Sequence, residues 1–315
     1  MHLRKSSIIV LGMGVSLLLG GCGMNETKDR NEPNVETVNS KPSKEDYSVN
    51  FVRIQDYKGE GYTLRNSGTE TSKIAKKNKP EIEIAVKKFF KETYKTKVKV
   101  HNIVGAKDGA SVFVESIGEP HFYTFAIVPI DVEKQEVKID EVWSQEGQVE
   151  HAIKGALYAM IFDQEFANLD SYFDNAINKY PIVGTPSEAI QKVGGDGYAT
   201  PFYFINTLGD WFEEVYQKYI ENPAISKQDL KKMITKKDFQ SDSVIVTINL
   251  YMKEADVNPD QTVFNNVVDD IERMNGLPKG AYTVLLHDNK IDRRRAIGSK
   301  ENTLERSTPN EIMKN

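Results

Sequence analysis

The sequence predicts an α+β fold: a helix packed on a four-stranded antiparallel meander, followed by a mainly helical second half with a short closing hairpin. Three observations carry this. Four strand-like runs lie between Lys97 and Trp143, joined by turns too short for anything but antiparallel pairing. From Gln148 the apolar period changes from two to that of a helix. Fourteen Tyr and fourteen Phe in 315 residues supply enough bulk for a substantial core.

The elements divide the chain into four stretches. Residues 1–21 have the parts of an export signal: Arg4 and Lys5, then an apolar run from Ile8 to Leu19, then Gly20 and Gly21. A dozen apolar residues, interrupted by Gly12 and Gly14, fall short of the ~20 a spanning helix needs. Cys22 follows directly and is the only cysteine in the chain. Leu19-Gly20-Gly21-Cys22 resembles the bacterial lipobox, in which the thiol is alkylated by a diacylglyceryl group and the signal is cut between Gly21 and Cys22. Cys22 is thus expected to hold the protein at a membrane by acyl chains, each buried methylene contributing ~0.8 kcal/mol. No second thiol exists for a disulfide.

Residues 22–50 are expected to form a disordered tether. The stretch is dominated by Asn, Glu, Lys, Ser and Thr, with Pro33 and Pro42 as breakers, and buries too little surface to offset its ordering entropy. A coil of this length spans on the order of 25–30 Å, so the folded part is expected to work close to the lipid.

Residues 51–145 form the α+β part. Phe51, Val52 and Ile54 suggest a short strand, resumed at Tyr62-Thr63-Leu64 after Gly59-Glu60-Gly61. A helix over Thr71–Tyr94, interrupted at Pro80, carries Ile82, Val86, Phe89, Phe90 and Tyr94 on one stripe. The meander then runs through Lys97–Val104, Ser111–Ile117, His121–Ile130 and Glu136–Trp143, with Asp108-Gly109 and Glu119-Pro120 as turn signals. The third run is apolar on both faces and reads as a central strand.

Residues 146–315 read as mainly helical, sharing one core with the first part or forming their own. Val149, Ile153, Ala156, Leu157, Met160 and Ile161 form one stripe. Further helices are expected over Leu169–Lys179, around Trp211–Ile220, after a Ser226/Asp229 cap, and from Asp260 to Met274. Val244–Ala255 is ambiguous: β-branched residues suit a strand, but length and context favour a helix. Ala281–Leu286, returning through Ile291, reads as the closing hairpin.

Several blocks together carry a family resemblance: Gln55–Tyr62, Val112–Tyr123, Ala152–Phe162, Asn302–Arg306 and Pro309–Ile312. The chain resembles the uncharacterised lipoproteins of low-GC Gram-positive bacteria grouped as domain-of-unknown-function family 1672, over nearly the whole mature chain. The resemblance implies attachment to the outer face of the cytoplasmic membrane. It implies no activity, catalytic residue or cofactor.

Candidate sites are few. His121 lies beside Glu119, a carboxylate able to tune an imidazole, although the neighbouring Gly118 and Pro120 mark a plain turn. His101, His151 and His287 are scattered, without metal-ligand spacing. Asp256, Asn258 and Asp260 imitate the opening of a calcium loop, but Gln261 and Val267 stand where Gly and Glu are needed, so Asp260 reads as a helix cap. Gly194-Gly195-Asp196-Gly197 lacks the Lys-Ser or Lys-Thr of a phosphate loop. Arg293-Arg294-Arg295 is a basic run able to touch anionic lipid or wall polymer. No metal or cofactor site is expected.

The first 21 residues hold two basic side chains and no acid, leaving 39 basic against 46 acidic in the mature chain, a net charge of −7. That charge disfavours nucleic acid. The leading expectation is a non-enzymatic surface lipoprotein with a protein, peptide or cell-wall polymer partner. A carboxylate-dependent envelope hydrolase using Glu115, Glu119, Asp140 or Glu141 is the second. A transporter-associated solute receptor is the third, though the alternating strands and helices of two parallel-sheet lobes are missing.

Overall fold

A computed structural model describes residues 49–64, 68–195, 197–235 and 240–315. The signal over 1–21 with Gly21, Cys22 and almost all of the tether lie outside the described residues. The fold is α+β.

β1 (Phe51–Arg53) opens the chain and runs into a 3-10 turn, Ile54–Asp56. Tyr62–Leu64 does not resume the strand. The helix expected over Thr71–Tyr94 is two: α1 (Thr69–Lys77) and α2 (Lys79–Thr93), with Pro80 in the first turn of α2, where its missing N–H costs nothing. Ile82, Val86 and Phe90 face the core.

The meander follows in the order β2-β3-β4-β5, all antiparallel: β2 (Val98–Ala106), β3 (Gly109–Ser116), β4 (Tyr123–Asp131) and β5 (Glu136–Val137). Ala106 pairs with Gly109 across a two-residue turn. α1 is clamped to the end of β2, where the Gly68 N–H donates to the Gly105 carbonyl. A Cβ on Gly68 would stand 2.1 Å from the Ala106 carbonyl oxygen.

The second half lays helices on a six-stranded mixed sheet. Its helices are α3 (Gln148–Ile161), α4 (Asp163–Lys179), α5 (Ser187–Val193), α6 (Glu213–Glu221), α7 (Lys227–Thr235) and α8 (Gln261–Arg273). Asp260 caps α8 by accepting the Thr262 and Val263 amides, and Ser226 accepts the Asp229 amide before α7. The sheet's strands are β6 (Ile182–Val183), β7 (Tyr203–Thr207), β8 (Val244–Met252), β9 (Gly280–His287), β11 (Leu304–Arg306) and β12 (Ile312–Lys314), and β10 (Lys290–Asp292) lies outside it. Val244–Met252 is therefore a strand and not the helix its context favoured. β8 is buried along nearly its whole length; Val246-Thr247-Ile248-Asn249-Leu250 carries the apolar–polar alternation of a strand, but the helical segments on either side outweigh it.

β8 and β9 pair in parallel, and α8 makes the crossover that this requires. β6 and β7 share the other edge of β8 end to end, and β11 and β12 share the other edge of β9. β10 pairs with β1, far away in sequence. One buried cluster includes Val86 and Phe90 of α2, Val112 of β3, Leu157 of α3 and Ile248 of β8.

Candidate functional site

The hairpin β3–β4 sets Glu115 directly opposite Tyr123, which brings their side chains together on one sheet face. His121 precedes Tyr123 by two residues and shares that face. Gly118, at φ +89°, turns the chain between the strands. Ser116 closes the corner: its hydroxyl donates to the Pro120 carbonyl and accepts the Phe122 amide, each at 2.9 Å. On the other side, a bulge between Val100 and Asn102 leaves His101 without a ladder partner, the kind of irregularity that re-aims a side chain.

Three groups converge on Glu115. His101 Nε2 lies 2.6 Å from Oε2, His121 Nε2 lies 3.0 Å from Oε1, and the Tyr123 hydroxyl donates to Oε1 at 3.3 Å. Burial pushes the Glu115 carboxyl up, but the hydrogen bonds from His121 and His101 prevail and hold it below its ordinary value. An ionised carboxylate only accepts, so both imidazoles donate through Nε2. Burial, and then the Glu115 charge, raise the Tyr123 hydroxyl, which stays protonated.

The carboxylate on the His121 ring is thus Glu115, not the adjacent Glu119. Glu119 instead accepts the His121 backbone amide at 3.2 Å. Asp140 and Glu141 do not join the group. Lys138 and Trp143 bond to Pro129 and Ile127, so these acids lie four to six residues along β4 from Tyr123, roughly 13–20 Å away. That exceeds the ~5–10 Å between the paired acids of a glycoside hydrolase.

Tyr123 also lines a cavity of about 150 Å³, walled by the meander, the end of α5, the β7–β8 edge and the β10 loop. Tyr57, Tyr203 and Tyr251 join it there, with Thr185, Thr200 and Asn249 as further polar groups and Ile190, Val193 and Ile291 as apolar ones. Among the described residues, no charged side chain lines it. Burial raises Tyr57, Tyr203 and Tyr251, the last to about 12. The wall is therefore neutral at physiological pH, and the space matches an engineered cavity known to hold benzene.

Behind the cavity lies a second polar cluster. His287, 1% exposed, donates from Nε2 to Asn249 Oδ1 at 2.8 Å and meets Thr303 Oγ1 through Nδ1 at 2.9 Å. Burial, with the Lys300 charge second, lowers the imidazole to about 4 against the pull of Asp288. Lys300 reaches Asp288 at 2.8 Å and the carbonyls of Lys290 and Gly298. Burial lowers its ammonium in spite of the Asp288 carboxylate.

The remaining candidates stay apart. His151 is exposed. Asp256 pairs with Lys290 at 2.8 Å, and Asn258 accepts from Asn302, so the calcium-like triad does not converge. Among the described residues, no three His, Cys, Asp or Glu side chains are placed to hold a metal ion. The Gly194 and Gly197 amides donate to the Ile190 and Tyr123 carbonyls and offer nothing to an anion; Asp196 lies outside the described residues. Residue spacing alone missed the cavity and the Glu115 cluster. The hairpin register, once set by the Gly118 turn, was the one signal able to pair Glu115 with Tyr123.

A family model described as "Protein of unknown function (DUF1672)" matches residues 44–314. The crystal structure of a DUF1672 family protein from Staphylococcus aureus subsp. aureus Mu50 is similar, with a TM-score of 0.69 at 18% identity, covering 84% of this chain and 98% of that one. At that identity the likeness speaks for the fold alone. No curated protein matches.

Proposed function

The chain belongs to the DUF1672 family, and from that membership, the lipobox-like sequence and the neutral cavity we propose a lipid-anchored binding module on the outer face of the cytoplasmic membrane. Cys22 carries the diacylglyceryl group, and the cavity takes one uncharged ring or side chain of a peptide or wall polymer. The observation that carries the binding reading is a tyrosine-lined cavity of about 150 Å³ with no charged side chain among the described residues that line it. A neutral wall with a few hydroxyl and amide groups selects by shape and hydrogen bonding, as small-ligand pockets commonly do.

A hydrolase reading draws less support. Glu115, which accepts from the cavity-lining Tyr123, is held by two imidazoles and kept ionised, which suits it to fixing Tyr123 and not to donating a proton. A solute receptor of two parallel-sheet lobes is likewise not favoured, since β8–β9 is the one parallel pair among the described strands.

The anchor is tested by feeding cells a palmitate analogue: label appears in the wild type and disappears in Cys22→Ala. The cavity is tested by ligand-detected NMR with neutral wall-peptide and N-acetyl sugar fragments. Ala199 lines the cavity, so Ala199→Phe fills it, and fragment binding is expected to fall at least tenfold while thermal stability is kept. Binding that survives the filled cavity defeats this reading.

A further inference from the structure

We propose that the Arg293–Arg295 loop, with Ile297 at its end, is the face this protein lays on anionic phospholipid head groups. The proposal rests on the anchored reading above for its biological setting, and its test stands apart from acylation.

Position is the first argument. The Asn50 carbonyl accepts the Arg293 amide at 2.9 Å, and Phe51 pairs with Asp292 across β1–β10. The stretch that leads back to Cys22 therefore joins the fold at this loop. Whatever holds Cys22 in lipid also brings Arg293–Arg295 near the same surface.

Construction is the second. Asp292, 6% exposed, accepts the Arg294 and Arg295 amides and the Arg295 Nε. The Tyr57 hydroxyl and the Thr63 amide donate to the Arg293 and Arg294 carbonyls. The backbone is pinned from within while the Arg294 and Arg295 side chains are exposed. Ile297 beside them is 44% exposed, an apolar tip among cations.

Charge is the third. Among the described residues, Arg293 and Arg294 have no carboxylate within ion-pair distance, whereas most lysines do. The loop is a local reversal in a chain of net charge −5. Each basic residue beside an anionic membrane raises occupancy about fivefold, so Arg293 and Arg294 together give about 25-fold, with Arg295 already paired to Asp292. That is weak for a free acidic protein. It suffices to orient one already confined to the surface, where the effective concentration of head groups is high. Ile291 and Ala296, which flank the arginines, line the cavity, so docking would fix the cavity edge at the membrane.

The test uses the mature chain with Cys22→Ser and Ile297→Cys, whose single thiol is labelled with an environment-sensitive fluorophore. With vesicles of phosphatidylcholine plus phosphatidylglycerol at low salt, emission is expected to shift to the blue; phosphatidylcholine alone gives no shift. Arg294→Glu removes two charges' worth of attraction and is expected to weaken the response about 25-fold, and Arg294→Lys to restore most of it. A label at exposed Ile84 on α2 stays unchanged. An equal shift in both vesicles, or one indifferent to Arg294→Glu, overturns the proposal. A response to soluble polyphosphate without one to vesicles assigns the loop to wall polymer and also overturns it. Because this chain carries no acyl group, failure here is separate from failure of the Cys22 label.

Discussion

Two clusters in this molecule combine histidine with a carboxylate, and they solve opposite problems. Around Glu115, a half-buried carboxylate is the fixed charge, and two imidazoles and a phenol turn toward it. Around Lys300, a buried ammonium is the fixed charge, held by Asp288, while nearby His287 is kept neutral. The first cluster rims a cavity and can respond to what enters it. The second ties β8, β9 and the closing segment together, with every partner internal. Similar residues thus line a cavity rim or brace the interior according to how much water reaches them.

This contrast breaks most visibly at Asp288. Asp288→Ala leaves the Lys300 ammonium buried without its carboxylate, and about 3–5 kcal/mol of stability is expected to vanish. Urea unfolding at neutral pH measures it. The same change at Glu115 is expected to cost less, since water reaches that site.

His287 sharpens the comparison through pH. Its folded value of about 4 lies below the ordinary 6.5, so the unfolded chain binds the proton more readily. No loss arises above pH 6.5; stability then falls as pH drops toward 4, by about 3 kcal/mol in total, and levels off below. Subtracting the pH profile of His287→Gln from the wild type isolates that slope. Glu115 runs on another limb: its depressed carboxyl contributes stability above the ordinary carboxylate range, lost as pH falls through its folded value.

Smaller still is Glu115→Gln, expected to cost about 1–2 kcal/mol, because the amide still accepts from one imidazole but loses the charge-assisted bonds. Denaturant midpoints at neutral pH set it against Asp288→Ala. If the two losses came out equal, the division into a responsive cluster and a structural one would fail.

The sequence made the meander legible because Asp108-Gly109 and Glu119-Pro120 mark tight turns between runs of strand-forming residues. It obscured β8, where Val246-Thr247-Ile248-Asn249-Leu250 alternates as a strand does but helical segments flank the run on both sides. It hid β7 as well, five residues enclosed by aromatic neighbours. His121 was visible as a candidate, but proximity in sequence pointed to Glu119, whereas strand pairing supplies Glu115. The cavity was invisible because residues from Tyr57 to Ala296 build it, and no local pattern encodes that meeting. Arg293–Arg295 could be read as basic from the letters alone; only the ladder between β1 and β10 puts it beside the chain's entry.

The split flanks of the six-stranded sheet have a consequence for how copies of this chain meet. Each outer position is filled by two short strands end to end, so its exposed backbone groups come in runs of two to five residues separated by a break. A neighbouring copy meets no long template along which to zip. The safeguard against sticking lies in the patchwork of the sheet's own borders.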